Sequence, residues 1–341
     1  MPAEPIWRDL PFRFKQSVVD KLDFRSRLSL QKCSRQDQIL VNSVPCFLSS
    51  LLLNLSPDIY DSDVSDDESE SSAPEPSKTE LLVMEKPFSK GLYWKTENED
   101  CTIEILNSIF QKPKYRFWDL ILSKDGNPSR FIDLLLTKID ENQKFHVHKL
   151  TWTCIEIAKT AEELKTCLKF FDLFDAATLR TIEINFSHKV LIEEMMMMDQ
   201  FMNLKEIFIN SEIESEQLEH LFHAKRFKVR LREVISEDLK RVIEVFLTKN
   251  QGSYFKISTD ENQIDLDKLL ETFQSMPNNS SVPTDSFYER DTNTHRFEIR
   301  DHKSENGEQL VLYMKIRRND IWGVVCRVNH IIQDFSLCPY Y

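Results

Sequence analysis

A few groups of side chains in this sequence have types and spacings that invite chemistry. His146 and His148 stand near Cys154. A His-x-His pair on a strand turns both rings to one face, but a zinc site takes four ligands and no second pair follows. His220 and His223, at i and i+3, share a helix face without further ligands. Met195 to Met198 offer soft sulfur, yet four consecutive helical residues point all round the axis and fill core gaps. No Ser/His/Asp or Cys/His set has a local motif to support it. Glycine is the sharpest limit. The chain of 341 residues has five, Gly91, Gly126, Gly252, Gly307 and Gly323, the closest pair 16 apart. Average usage of about 7% would give roughly 24. Phosphate-cradling loops, dinucleotide fingerprints and nucleophile elbows need clustered glycines, and none can be written with these. The sequence therefore reads as non-enzymatic, with no catalytic residue, no metal site and no cofactor.

Two features remain that could bind. Lys225, Arg226, Lys228, Arg230 and Arg232 form the one place where charge reverses, and Arg317 and Arg318 could add to it. On a strand, Lys228, Arg230 and Arg232 share one face while Phe227, Val229 and Leu231 share the other. The plain reading is a solvated sheet edge; the sharper one is a contact for an acidic partner or for an acidic stretch of the chain itself. Ser65 precedes Asp66, Asp67 and Glu68, the context an acid-directed kinase reads, within what otherwise reads as a solvated spacer.

Overall charge narrows the partners. The net charge of −12 argues against nucleic acid, and no run of 18 apolar residues is present to span a membrane. The start, MPAEPIWRDLPFRF, lacks the basic and apolar regions of a signal peptide. Seven cysteines, at 33, 46, 101, 154, 167, 326 and 338, are odd in number and form no C-x-x-C, as expected of small buried thiols in a reducing compartment. A cytoplasmic or nuclear location is expected.

The elements that carry these residues divide the chain in three: 6–55, 56–80 and 81–341. Residues 56–80 are serine, proline and acid with a charge of −8, and read as a disordered linker. In the first block Leu10-Pro11 opens a helix with Phe14, Val18 and Leu22 on one face and Val19 alongside. RSRLSLQKCSR follows with Leu28, Leu30 and Cys33 toward one side, and QILVNSVPCFLSSLLL makes a third segment. This unit is near the lower size limit for independent folding and has more apolar surface than three helices cover, so it calls for a helical protein partner.

LPFRFKQSVVDKLDFRSRLSLQKCSRQDQILV resembles an F-box, the motif that docks a substrate receptor on the Skp adaptor of cullin ubiquitin ligases. The matching positions are Leu10, Pro11, Val18 or Val19, Leu22, Leu28, Leu30, Cys33 and Ser34, and the resemblance implies that they lie in or beside the adaptor contact. Arg13 stands where an acid is common, and Asp37 where a tryptophan or leucine usually packs.

The third part carries a repeat of apolar-x-x-apolar-x-apolar segments centred near 150, 182, 207, 227 and 255, at steps of 32, 25, 20 and 28. Amphipathic stretches lie between them: AEELKTCLKFFDLF, LIEEMMMMDQFM, EQLEHLFHA and EDLKRVIEVFLTKN. The expected fold is α/β: an N-terminal three-helix F-box, then an irregular leucine-rich-repeat-like α/β solenoid with a β-rich C-terminal end. An α/β domain with a central sheet is the competing architecture. HRFEIRD, EQLVLYMKIRR and IWGVVCRVNH alternate as strands of the β-rich end, with a tight Asn319-Asp320 turn. FIDLLLTKI, HKLTWTC, LRTIEINFS, FMNLKEIFI and IRRNDIWGVVCRV, within about 103–330, resemble the FTH domain that follows the F-box in a large nematode family. That resemblance implies a surface for a recruited protein and no chemistry of its own. The chain is expected to be a substrate-recognition subunit that binds the Skp adaptor, through it a cullin ligase, and an unknown target protein. The alternative is a repeat-type scaffold or inhibitor with a vestigial F-box.

Overall fold

The computed structural model describes residues 7–55, 79–84, 92–96, 99–110, 115–124, 127–140, 142–259, 264, 271, 279–281, 295–299, 310–317 and 319–327. Ser65, the acidic stretch 56–78, Arg318 and Cys338 lie outside them. The chain forms two compact units, Met1–Leu179 and Arg180–Tyr341.

Unit one opens with a 3-10 turn, Trp7–Asp9, and three short helices: α1 (Phe12–Lys21), α2 (Phe24–Gln31) and α3 (Arg35–Ser43). Their ends follow from local chemistry. Pro11 precedes the first turn of α1, where a missing N–H costs nothing. Asp23 and Ser34 accept backbone N–H bonds from Ser26 and Asp37 as N-caps of α2 and α3. Val19, Leu40, Val41 and Val44 form the core of this block, with Trp7, Leu22 and Leu30 packed against it.

The third sequence segment does not stay helical. Pro45 lacks the N–H a helix needs, and the chain runs on as β1 (Cys46–Asn54). The block thus ends at α3, and residues expected at its tail pair with strands far along the chain. Those strands are β2 (Thr79–Met84), β3 (Leu92–Thr96), β4 (Tyr115–Lys124) and β5 (Val147–Cys154), with α4 (Glu99–Phe110), α5 (Ser129–Lys138) and α6 (Ala161–Asp172) between or after them. Thr79 and Glu80, read as linker, open β2. The order within this unit is β3-β2-β1-β4-β5, antiparallel through β3, β2 and β1 and parallel through β1, β4 and β5. Along β4 the buried side chains change face: Tyr115 and Phe117, then Leu120 and Leu122. Edge-on ring contacts join Phe24 of α2 to Tyr115 at 5.9 Å and Trp152 of β5 to Phe170 of α6 at 5.3 Å.

Unit two begins as strand then helix. It runs β6 (Thr181–Asn185), α7 (Lys189–Met196), α8 (Asp199–Met202), β7 (Glu206–Ile213), a 3-10 turn (Ser215–Leu221), β8 (Arg226–Leu231), α9 (Ser236–Phe246) and β9 (Tyr254–Ser258). The repeat centres near 150, 182, 207, 227 and 255 all fall in strands, from β5 to β9. Neighbours from β6 to β9 pair in parallel. The expected helix over 191–202 breaks at Met197-Met198, and the stretch 216–224 makes a 3-10 turn instead of an α-helix. The β-rich end is present as β10 (Asn279–Ser281), β11 (His295–Ile299), β12 (Leu310–Ile316) and β13 (Asp320–Arg327), all antiparallel, with β13 joined to β9. Arg317 N–H donates to Asp320 O at 2.7 Å and closes the predicted turn.

Phe227, Phe246 and Phe255 form one aromatic core at centroid distances of 4.8 to 6.1 Å. Gly323 makes room for it: a Cβ there would stand 2.6 Å from Phe255 Cζ. Gly323→Val is therefore expected to lower stability by about 3 kcal/mol through overpacking, as measured by urea unfolding.

Lys249 closes the other end of this core. Its ammonium donates to Phe222 O at 2.8 Å and to Ala224 O, and lies 5.2 Å from the Phe246 ring. Burial pushes its pKa down to about 8 from the ordinary 10.5. Between these values the unfolded chain binds more protons than the folded one, so stability gains from Lys249 as pH rises. The neutral amine still has two N–H donors for the two carbonyls. The stability difference between wild type and Lys249→Met is expected to grow in favour of wild type from pH 8 to 10.5, read by denaturant titration at each pH.

Candidate protein-docking site

The exposed side of the helical block is the strongest candidate site. Two apolar grooves lie on it and share Trp7 as a wall. The larger, about 470 Å³, is lined by Val18, Leu22 and Leu30, with Cys33, Arg25 and Ser29 at its margin. The smaller, about 230 Å³, is lined by Phe12, Ile39 and Leu40, with Lys15, Ser34 and Asp37. Phe12, Phe14 and Ile39 are each more than half exposed, at 52%, 54% and 59%. Leaving that much apolar surface in water is unfavourable by about 25 cal/mol per Å² unless something covers it.

The structure sorts the residues predicted to meet a partner. Val18, Leu22, Leu30 and Cys33 line the larger groove, and Ser34 the smaller. Leu10 and Leu28 are half-buried and Pro11 is exposed beside the start of α1. Val19 is fully buried in the block's own core. It presents no side chain to a partner, a correction to the sequence reading: of two adjacent valines set about 100° apart around the helix, only one faces out.

Trp7, Phe12 and Ile39 were absent from the predicted set. Trp7 precedes the helices, so helical periodicity could not place it. Its indole N–H donates to Asp37 Oδ1 at 2.7 Å, Ser34 Oγ donates to Asp37 Oδ2 at 2.7 Å, and Lys15 Nζ lies 5.8 Å from the ring centre. The bonds from Trp7 and then Ser34 hold the Asp37 carboxyl below its ordinary pKa. Asp37, the unusual residue in α3, thus fixes an aromatic ring that arrives from the N-terminus.

Arg27 holds the block's geometry from inside. Its side chain is 6% exposed. Nε donates to Leu22 O at 3.1 Å, one terminal nitrogen to Pro45 O at 2.8 Å and the other to Asp20 O at 3.0 Å. One planar fork therefore ties the end of α1 to the point where α3 gives way to β1.

The predicted basic row lies on the outward face of β8, but it is not uniformly basic. Arg226 pairs with Glu206 at 3.3 Å, Arg230 stands opposite Glu212 across the β7–β8 ladder, and Lys256, beside Lys228 on β9, pairs with Asp320 at 3.6 Å. Lys228 and Arg230 are half-buried and Arg232 exposed. The alternation was read correctly, but the acids that interleave with it come from other strands.

The possible chemical sites resolve into packing. His146 Nδ1 is 2.9 Å from Asp175 Oδ2, and the His148 ring stacks on Trp118 at 3.9 Å. Burial pushes the Cys154 and Cys167 thiols up to about 12 and 11, away from reactive thiolate. Cys46 and Cys326 are buried as expected, whereas Cys33 and Cys101 are exposed. Met195 and Met196 are fully buried and Met197 is 69% exposed. His223 Nε2 lies 3.1 Å from Phe201 O, and burial lowers its pKa. Among the described residues, no group of three or more His, Cys, Asp or Glu could hold a metal ion, and no helix is long and apolar enough to cross a membrane.

Residues 129–275 match the FTH domain. The match runs from the first residue of α5 past the end of β9 and leaves the helical block outside it. No curated protein matches the chain.

Arg27→Met is expected to cost about 3 kcal/mol, because three carbonyls lose a buried donor together. Urea unfolding monitored by tryptophan fluorescence measures it, and an unchanged midpoint would remove the clamp from the account.

Proposed function

We propose that the chain is the substrate-recognition subunit of a Skp-cullin-F-box type ubiquitin ligase. In this reading the N-terminal block is an F-box that docks on the Skp adaptor. The α/β region, a leucine-rich-repeat-like solenoid bearing the FTH domain that follows the F-box in a large nematode family, holds a target protein. Catalysis is then proximity, a rise in the effective concentration of target lysines near the ligase's charged ubiquitin carrier. No residue of this chain makes or breaks a bond.

The observation that supports this reading best is the uncovered apolar side of the helical block. Four predicted contact residues, Val18, Leu22, Leu30 and Cys33, line one groove there. The FTH match supports the second half of the pairing, a recruitment domain behind the docking motif.

Full-length protein is expected to bind purified Skp adaptor by calorimetry. Phe14→Asp and Ile39→Asp change side chains that are 54% and 59% exposed, so the melting temperature should hold. Affinity should fall at least ~10-fold for each, as for anchors at a desolvated interface. Absence of adaptor binding by the wild type overturns the proposal. A scaffold or inhibitor with a vestigial F-box would instead retain its protein partners in cells without dependence on the adaptor.

A further inference from the structure

We infer that Trp7, locked by Asp37, divides the exposed side of the helical block into a two-pocket socket. The socket takes two large apolar side chains from one acidic amphipathic helix of the partner. This inference rests on the adaptor-docking reading and goes beyond it by naming the device that positions the partner and the chemistry of the element received.

Trp7 is the only side chain common to the two groove linings. Its position is set from both sides. The indole N–H is spent on Asp37 Oδ1, while the carboxylate's second oxygen accepts from Ser34 at the N-cap of α3. The indole is therefore a fixed ridge, and it inherits its placement from α3. The two pockets differ in size, about 470 Å³ against about 230 Å³. Unequal pockets accept two anchors in one order only, which sets the direction of the bound helix.

Charge selects the rest of the occupant. Residues 7–43 hold eight Lys and Arg against four Asp, a balance of +4 in a chain whose net charge is −12. Buried Arg27 spends its donors on carbonyls, yet the balance stays positive without it. Each pocket has a cation at its margin, Arg25 at the larger and Lys15 at the smaller. A helix with apolar anchors on one face and Asp or Glu beside them complements this pattern and repels few of the block's own charges.

The test uses full-length protein and purified Skp adaptor in calorimetry and stopped-flow binding. Trp7→Ala should weaken binding about 30-fold, since it merges the pockets and removes an aromatic anchor wall. Trp7→Phe keeps a ring but not the donor, and should lose a smaller factor of about 5. Asp37→Leu should behave like Trp7→Phe, whereas Asp37→Asn, which keeps an acceptor for the indole, should restore near wild-type affinity. Arg25→Glu should slow association and flatten its dependence on salt. Circular dichroism and melting temperature check that each variant is folded, and Trp7→Phe decides the matter if Trp7→Ala is not. Wild type that fails to bind the adaptor removes the parent reading and this one with it. Wild type that binds while Trp7→Ala and Asp37→Leu bind equally well removes this inference alone. Displacement of the adaptor by a synthetic 56–78 peptide would assign the socket to the chain's own acidic stretch and likewise overturn it.

Discussion

A chain with five glycines in 341 residues must end its helices by other means than a left-handed glycine cap. Among the described residues only Ala158 and Gly252 have positive φ, and neither closes a helix. The helices stop instead on extended residues such as Leu22, Val44 and Ile139, or on right-handed ones such as Leu173 and Leu247. That leaves carbonyls at the helix ends in need of donors. The sequence supplies them from long side chains elsewhere. Arg27 serves Asp20 and Leu22 at the end of α1, Gln143 serves Phe110 at the end of α4, and Lys144 serves Asp172 at the end of α6 with a 2.6 Å bond. Lys249 serves Phe222 and Ala224 after the second 3-10 turn. A cation suits the negative end of a helix, so most of these bonds gain from the dipole as well.

This mode of closure ties distant segments together. A glycine cap is local; a lysine or arginine cap fixes two parts of the chain at once. Arg27 is the clearest case, because its third donor reaches Pro45 O, where the helical block hands over to the sheet. Phe24, near the start of the same helix, packs edge-on against Tyr115 of β4. Helix α2 is therefore held by a ring contact at its start and a guanidinium one turn later. The opposite side of the block, bearing Phe14, Ile39 and the two grooves, is left to solvent.

What was legible in the sequence follows from the range of the interactions involved. The apolar periodicity of 12–22 is local, and the helix it marks is present. The five repeat centres alternate over a few residues each, and all are strands. LSSLLL gave no such signal, since a short apolar run fits a buried helix or a buried strand equally. Its fate depends on pairing with β4, about seventy residues later, in register from Cys46 with Tyr115 to Asn54 with Ser123. The candidate site was legible in the same uneven way. Val18 and Val19 are adjacent apolar residues on one helix, and which of them turns inward depends on Leu40 and Val41 of another. The basic row of β8 was visible by alternation, but Glu206, Glu212 and Asp320 beside it come from strands that sequence reading could not align.

Asp37 shows how a departure from pattern can be informative. A carboxylate on a helix face otherwise bearing Ile39 and Leu40 looks like a weakness in a packing surface. In the fold it accepts two short hydrogen bonds, one from its own helix cap and one from an indole outside the helices. Charge-assisted bonds of this kind are about twice as strong as neutral ones. They recover the ring that a packing surface needs while drawing it from a 3-10 turn, where no regular period would reveal it. Removing the carboxylate would release a ring that also packs against the core of Val19, Leu40, Val41 and Val44. Trp7, Leu22 and Leu30 both pack against that core and line the larger groove, so the stability of the block and the shape of its outer surface are set in part by the same residues.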